Sequence, residues 1–186
     1  MLKLSNTHWL IYTISGFAAL AGLLFGYDTG IIAGAILFIK KDFALSSFQE
    51  EMVVSAVLLG ALIGSGMSGR VSDLFGRRKL LVFTALTFII GSLASALSSN
   101  IISLIVGRVI LGVAIGVGSF TAPLYLAEIA PQRIRGMLVS LNQLAITIGI
   151  VFSYLINYYF SVQGEWSWML GLGVVPAVIL LLGTIY

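Results

Sequence analysis

Six apolar runs, each long enough to cross a lipid bilayer, leave this chain little freedom in how it folds. A spanning helix needs about 20 predominantly apolar residues. Runs of that kind lie near Trp9 to Ile39, Met52 to Gly69, Leu80 to Leu97, Ile101 to Ala122, Met137 to Phe160, and Trp166 to the last residue. Composition agrees: 59% of residues are hydrophobic and 9% charged, against roughly 25% charged in soluble domains. The sequence predicts an all-α integral membrane protein of six transmembrane helices. Lys3 before the first run imitates a secretory signal, but the run continues far beyond a normal signal core and five more follow, so it is read as a retained helix.

Charge sits between the spans and sets their orientation. One set of connections holds Lys3, then Arg70, Arg77, Arg78 and Lys79, then Arg133 and Arg135. The alternate set holds Lys40 and Lys41, with Asp42, Glu50 and Glu51 close by. Basic loops stay in the cytoplasm, so both termini are expected there. The formal charge of +3 comes from these loops and not from a basic, aromatic-interleaved surface, so nucleic acid is not an expected partner. With no cysteine and one histidine, His8, no metal site and no cofactor is expected.

Within the connections one segment stands out, Gly69-Arg70-Val71-Ser72-Asp73-Leu74-Phe75-Gly76-Arg77-Arg78-Lys79. It is expected to be a tight cytoplasmic turn, with Gly69 and Gly76 permitting the reversal and Asp73 accepting from an arginine. Gly60 and Gly64 in the second run, and Gly112 and Gly116 in the fourth, give small faces for close helix packing. No low-complexity segment or linker divides the chain, so one helical unit over residues 1–186 is expected.

Two ionisable residues fall inside spans. Asp28 lies in the first and Arg108 in the fourth, the helices that head two groups of three, as in a 3+3 inverted repeat. A charge at the bilayer centre costs roughly 2.5–3.5 kcal/mol on insertion scales, so the two are expected to pair. At 1.5 Å per residue, Asp28 lies about 15–18 Å below the loop at Lys40 and Arg108 about 12 Å below Asn100, depths that permit contact. The pair is either a structural element or a proton switch. Burial favours the protonated acid and a nearby arginine favours the anion, so movement of Arg108 would release or recruit a proton. Gly26 and Gly30 flank Asp28 and predict a local bend in an overlong first helix.

The fifth run carries Gln143, Thr147, Tyr154 and Asn157 at steps of 4, 7 and 3, a polar stripe on one helical face. An amide near the midplane both donates to and accepts from hydroxyls, which suits a neutral polyol, although hydrogen bonding between helices is the other reading. Phe25, Tyr27 and Tyr154 offer rings for a sugar's apolar face or for packing. Trp166 and Trp168 are expected to be interfacial anchors.

The segment at 69–79 resembles the cytoplasmic signature loop of the major facilitator superfamily. Pro123-Leu124-Tyr125-Leu126-Ala127-Glu128-Ile129-Ala130-Pro131-Gln132-Arg133-Ile134-Arg135-Gly136 matches the P-x-Y-x-x-E-x-x-P-x-x-x-R-G signature of its sugar porter branch. Gly26-Tyr27-Asp28-Thr29 and Gly107-Arg108 also sit where bacterial sugar/proton symporters carry their coupling aspartate and its arginine, and Gln143-Leu144 sits at a family sugar contact. The resemblance implies a carrier of a monosaccharide and a proton, without cofactor, in a bacterial inner membrane. It implies proton coupling by Asp28 and Arg108, and sugar contacts by Gln143 with Phe25 and Thr147 nearby. Asp73, Arg77, Arg78, Glu128 and Arg135 would form a cytoplasmic charge network that latches the two halves. Family members have about twelve helices in two halves, so this six-helix sequence is expected to be the N-terminal half of a major facilitator fold. Its expected partners are the lipid bilayer, the sugar and proton, and a C-terminal half or second copy. A facilitative uniporter and a non-transporting, self-assembling helix bundle are the competing readings. An intramembrane hydrolase is disfavoured because His8 is the sole histidine.

Overall fold

In a bilayer each backbone amide must be satisfied within its own segment, so the apolar runs coil into helices. A computed structural model describes the backbone of residues 3–185 and the side chains of residues 15–185; the side chain of His8 lies outside that range. The helices are α1 (Lys3–Asp42), α2 (Ser47–Phe75), α3 (Arg77–Ala96), α4 (Ile101–Ile129), α5 (Arg135–Ser161), α6 (Trp166–Gly171) and α7 (Val174–Ile185). They make six spans, the sixth being α6 and α7 together, and the fold is an all-α membrane bundle.

Several helices outrun their apolar cores because polar caps extend them. Ser46 begins α2 with a capping box, its side chain accepting from the Gln49 amide while the Gln49 side chain accepts from the Ser46 amide. Asn100 and Ser103 do the same for α4. Such boxes satisfy the amides that a helix start leaves without partners. The 69–79 segment is therefore not one turn. It is the last two turns of α2 and the start of α3, joined through a single residue, Gly76, at φ +83°. Glycine alone holds that conformation without strain. Gly69 stays helical and faces open space.

The expected bend at Gly26 and Gly30 is absent, and α1 runs unbroken through both. Their bareness instead serves contact with α5. A Cβ on Gly26 would collide with the Ile146 carbonyl and one on Gly30 with the Ser153 hydroxyl, while Gly22 and Gly34 face Asn142 and Asn157. The α2–α4 seam uses the same device, with Gly60 against Gly112 and the Val109 carbonyl, and Gly116 against Ala61. Lipid is as apolar as leucine, so dispersion contact across these bare faces holds the bundle together more than burial does.

Two clusters of buried side chains fill the interior. Leu24, Leu81, Phe88, Leu111, Leu126 and Leu180 form one, and Tyr27, Ile31, Ile39, Leu104, Trp166 and Met169 the other. Trp166 is buried, not an interfacial anchor as expected: its Nε1 donates to Asp42 at 2.7 Å and its ring meets Phe43 edge-on. Trp168 is 59% exposed.

Candidate functional site

Asp28 on α1 and Arg108 on α4 meet in the bundle. Arg108 Nη1 donates to Asp28 Oδ1 at 2.5 Å, with side-chain exposures of 1% and 4%. Arg108 is the largest fully buried side chain among the described residues. Its neighbour Gly107 lies against Ser95 of α3, which brings the α4 backbone deep into the bundle. The contact is made through one atom on each side, whereas arginine and carboxylate commonly bond through two. Arg108 Nε is buried with no protein partner. A pair held at one point can exchange its partner without dismantling its surroundings.

The pair forms part of the wall of a groove of about 400 Å³ between α1, α2 and α4. Phe25 and Thr29 flank Asp28 there, and Val57, Ala61 and Ser119 complete much of the lining. Of the sugar-contact candidates, Phe25 therefore shares the groove with the ion pair. Gln143 and Thr147 do not line it. Both are exposed on α5, and the Thr147 hydroxyl donates to the Gln143 carbonyl at 3.2 Å. The predicted polar stripe splits: Tyr154 shares the exposed side, whereas Asn157 turns to α1, its Nδ2 donating to the Gly30 carbonyl at 3.0 Å. Asn142, which the stripe omitted, is buried against Gly22.

At the α2–α3 connection the charges gather around Arg77. It bonds Glu128 of α4 at 2.9 Å and Asp73 at 3.2 Å, and donates to the Ser72 carbonyl at 3.1 Å. Arg78 turns away to the Thr184 and Ile185 carbonyls of α7. Arg135 makes no ion pair among the described residues. The structure thus gathers Asp73, Arg77 and Glu128, and leaves Arg78 and Arg135 outside that knot.

Residues 14–186 match the family model described as Sugar (and other) transporter. The chain belongs to this family. It is 54% identical over 172 residues to the glucose transporter GlcP of Staphylococcus epidermidis, covering 92% of this chain and 39% of that protein. It is 49% identical over 177 residues to the galactose-proton symporter of Escherichia coli K12, covering 95% and 38%. A solved structure of the proton:xylose symporter XylE, of the major facilitator superfamily and bound to 6-bromo-6-deoxy-D-glucose, superposes with a TM-score of 0.87 at 31% identity, covering 94% of this chain and 44% of that one. The chain spans about two fifths of the length of these curated relatives. The family is one of transporters, not enzymes.

Sequence reasoning missed two hydrogen bonds of this sugar transporter family chain that tie α1 and α3 to the sixth span. The Tyr27 hydroxyl donates to the Met169 carbonyl and the Ser92 hydroxyl to the Leu170 carbonyl, each at 2.6 Å. Both acceptors sit just before the interruption between α6 and α7. The signal was Pro176, which has no N–H to return to Leu172 and whose ring crowds that carbonyl.

Proposed function

We propose that this chain forms the N-terminal half of a secondary carrier that moves a monosaccharide together with a proton by alternating access. The observation that carries the reading is the buried Asp28–Arg108 contact in the wall of a groove. A purely packed bundle has no need of an aspartate and an arginine in its hydrocarbon interior, where ionisable groups are costly. Protonation of Asp28 would remove its charge and release Arg108 from it. The released guanidinium can then find other acceptors in the groove, which ties proton binding to side-chain and helix position. The galactose-proton and proton:xylose symporters among the similar proteins support a proton as the coupled ion.

In this reading Phe25 presents its ring to the sugar from the groove, and Gln143 and Thr147 offer polar contacts from α5. The partly exposed knot of Arg77 with Glu128 and Asp73 biases the carrier between states, together with Arg78 and Arg135 and a C-terminal six-helix half. In the same reading both termini lie in the cytoplasm of a bacterial cell and the spans in its inner membrane, which the basic residues of the connections support.

The test is Asp28→Asn in the full-length carrier, reconstituted in vesicles. An amide cannot exchange the coupling proton, so accumulation driven by a pH gradient should vanish while sugar counterflow, which needs no net proton movement, persists. Undiminished accumulation by the variant overturns the proton switch. Wild-type uptake that ignores the gradient would assign the chain to a uniporter.

A further inference from the structure

Among the described residues the sixth span is the one that breaks, between Gly171 and Val174, and the break lies against the residue next to Asp28. Tyr27 is 3% exposed, with its hydroxyl on Met169 and its ring beside Gly173, where a Cβ would meet Tyr27 Cε1 and Phe88 Cε1 at 3.1 Å. Consecutive residues of a helix point about 100° apart. Tyr27 therefore reaches the sixth span while Asp28 reaches α4. The α5 side of α1 is the glycine seam of Gly22, Gly26, Gly30 and Gly34, which receives Asn142, Ser153 and Asn157 and whose Gly30 carbonyl accepts from the Asn157 amide; Tyr27 adds a side-chain bond from α1 to the sixth span.

We propose that Tyr27 is a positioning residue for the ion pair: its bond to the break in the sixth span sets the rotation of α1 and so holds Asp28 against Arg108. The proposal rests on the proton-coupled reading above. At a side-chain radius of about 6 Å, a rotation of about 10° carries the carboxylate about 1 Å. That is enough to take a 2.5 Å contact to the edge of hydrogen-bond range. Few other groups act on Asp28. Arg108 is the charged residue facing it from the groove walls of α2 and α4, and Tyr27 is its titratable neighbour on α1. Against this stretch of α1, α5 brings Ile146, Ile150 and Ser153 and the sixth span brings Met169, none of which titrates.

The test compares Tyr27→Phe with Ser92→Ala, each in the full-length carrier. Tyr27→Phe keeps the ring and removes the bond from α1; Ser92→Ala removes the companion bond from α3. Tyr27→Phe should move the midpoint of the pH profile of gradient-driven uptake by about half a pH unit and lower sugar accumulation about threefold to tenfold, the leverage of one hydrogen bond. Counterflow should change by less than about twofold, and Ser92→Ala should leave the midpoint in place. A Tyr27→Phe profile that superposes on wild type overturns the proposal. Equal shifts in both variants, matched by equal losses of thermal stability, also overturn it and reduce both hydroxyls to satisfying free carbonyls. Wild-type uptake indifferent to pH overturns it together with its parent reading, and is distinguished because the wild-type arm itself fails.

Discussion

Arg108→Ala would leave the Asp28 carboxylate inside the bundle with its partner gone. Breaking a buried pair from one side typically costs about 3–5 kcal/mol, because the remaining charge keeps its desolvation penalty and loses its attraction. Asp28 is 3% exposed, so little solvent offsets that penalty, and we expect a loss of about 3–5 kcal/mol for Arg108→Ala. Asp28→Leu should cost a similar amount by stranding the guanidinium. The double variant Asp28→Leu/Arg108→Ala should cost well below the sum of the two single losses, giving a coupling energy near 2 kcal/mol or more. Unfolding of the four proteins in mixed micelles of mild detergent and dodecyl sulfate, followed by tryptophan fluorescence, measures the cycle. Sugar accumulation in vesicles adds the functional arm: the double variant should fold and fail to accumulate. A loss below about 0.5 kcal/mol for Arg108→Ala, or no rescue in the double variant, would refute the buried-pair argument. A double variant that accumulates normally would instead favour a structural role for the pair.

Two further outcomes follow from the packing and from the α5 face. Gly112→Val places carbon against the Val57 carbonyl, backbone that cannot move aside, so the α2–α4 seam should open and folded yield should fall sharply in size-exclusion profiles; Gly69→Ala, in open space, should be neutral. Gln143→Ala should weaken sugar binding by roughly 1 kcal/mol, about fivefold in Kd, when titrated calorimetrically with the full-length carrier, and unchanged affinity would return Gln143 to a packing role.

The spans were legible because a bilayer converts hydropathy directly into helices, and the glycine pairs at 60, 64, 112 and 116 announced a close seam by spacing alone. Depth counting was enough to bring Asp28 and Arg108 to one level. Other features depended on direction, which periodicity resolves poorly. Asn157 lies three residues beyond Tyr154 on a predicted stripe, yet three residues leave about 60° of rotation, and that turned its amide to Gly30. Glycines beside Asp28 read equally well as a hinge or as a packing face, and only the presence of α5 decides between them. Ser46 and Asn100 were readable as caps and would have moved the starts of α2 and α4 correctly. The division of Arg77 from Arg78 was not readable, since adjacent residues on a helix point to different neighbours and those neighbours, Glu128 and Thr184, are distant in sequence.

The pairing of helices gives the ion pair its leverage. The two groups of three helices do not stand side by side. The first helix of each packs on the second of the other, α1 on α5 through one glycine seam and α4 on α2 through the other. Asp28 and Arg108 join those two first helices directly, and the groove opens between them and α2. A change at the pair therefore acts between the groups and not within one. The α2–α4 seam is backbone against backbone, so small rotations or slides there cost little side-chain repacking. The second helices α2 and α5 carry the most exposed spans, with the groove on one flank and Gln143 and Thr147 on the other. A proton on Asp28 would thus be felt by the two helices with the most surface left for a partner bundle, which is the coupling that alternating access about a central site requires.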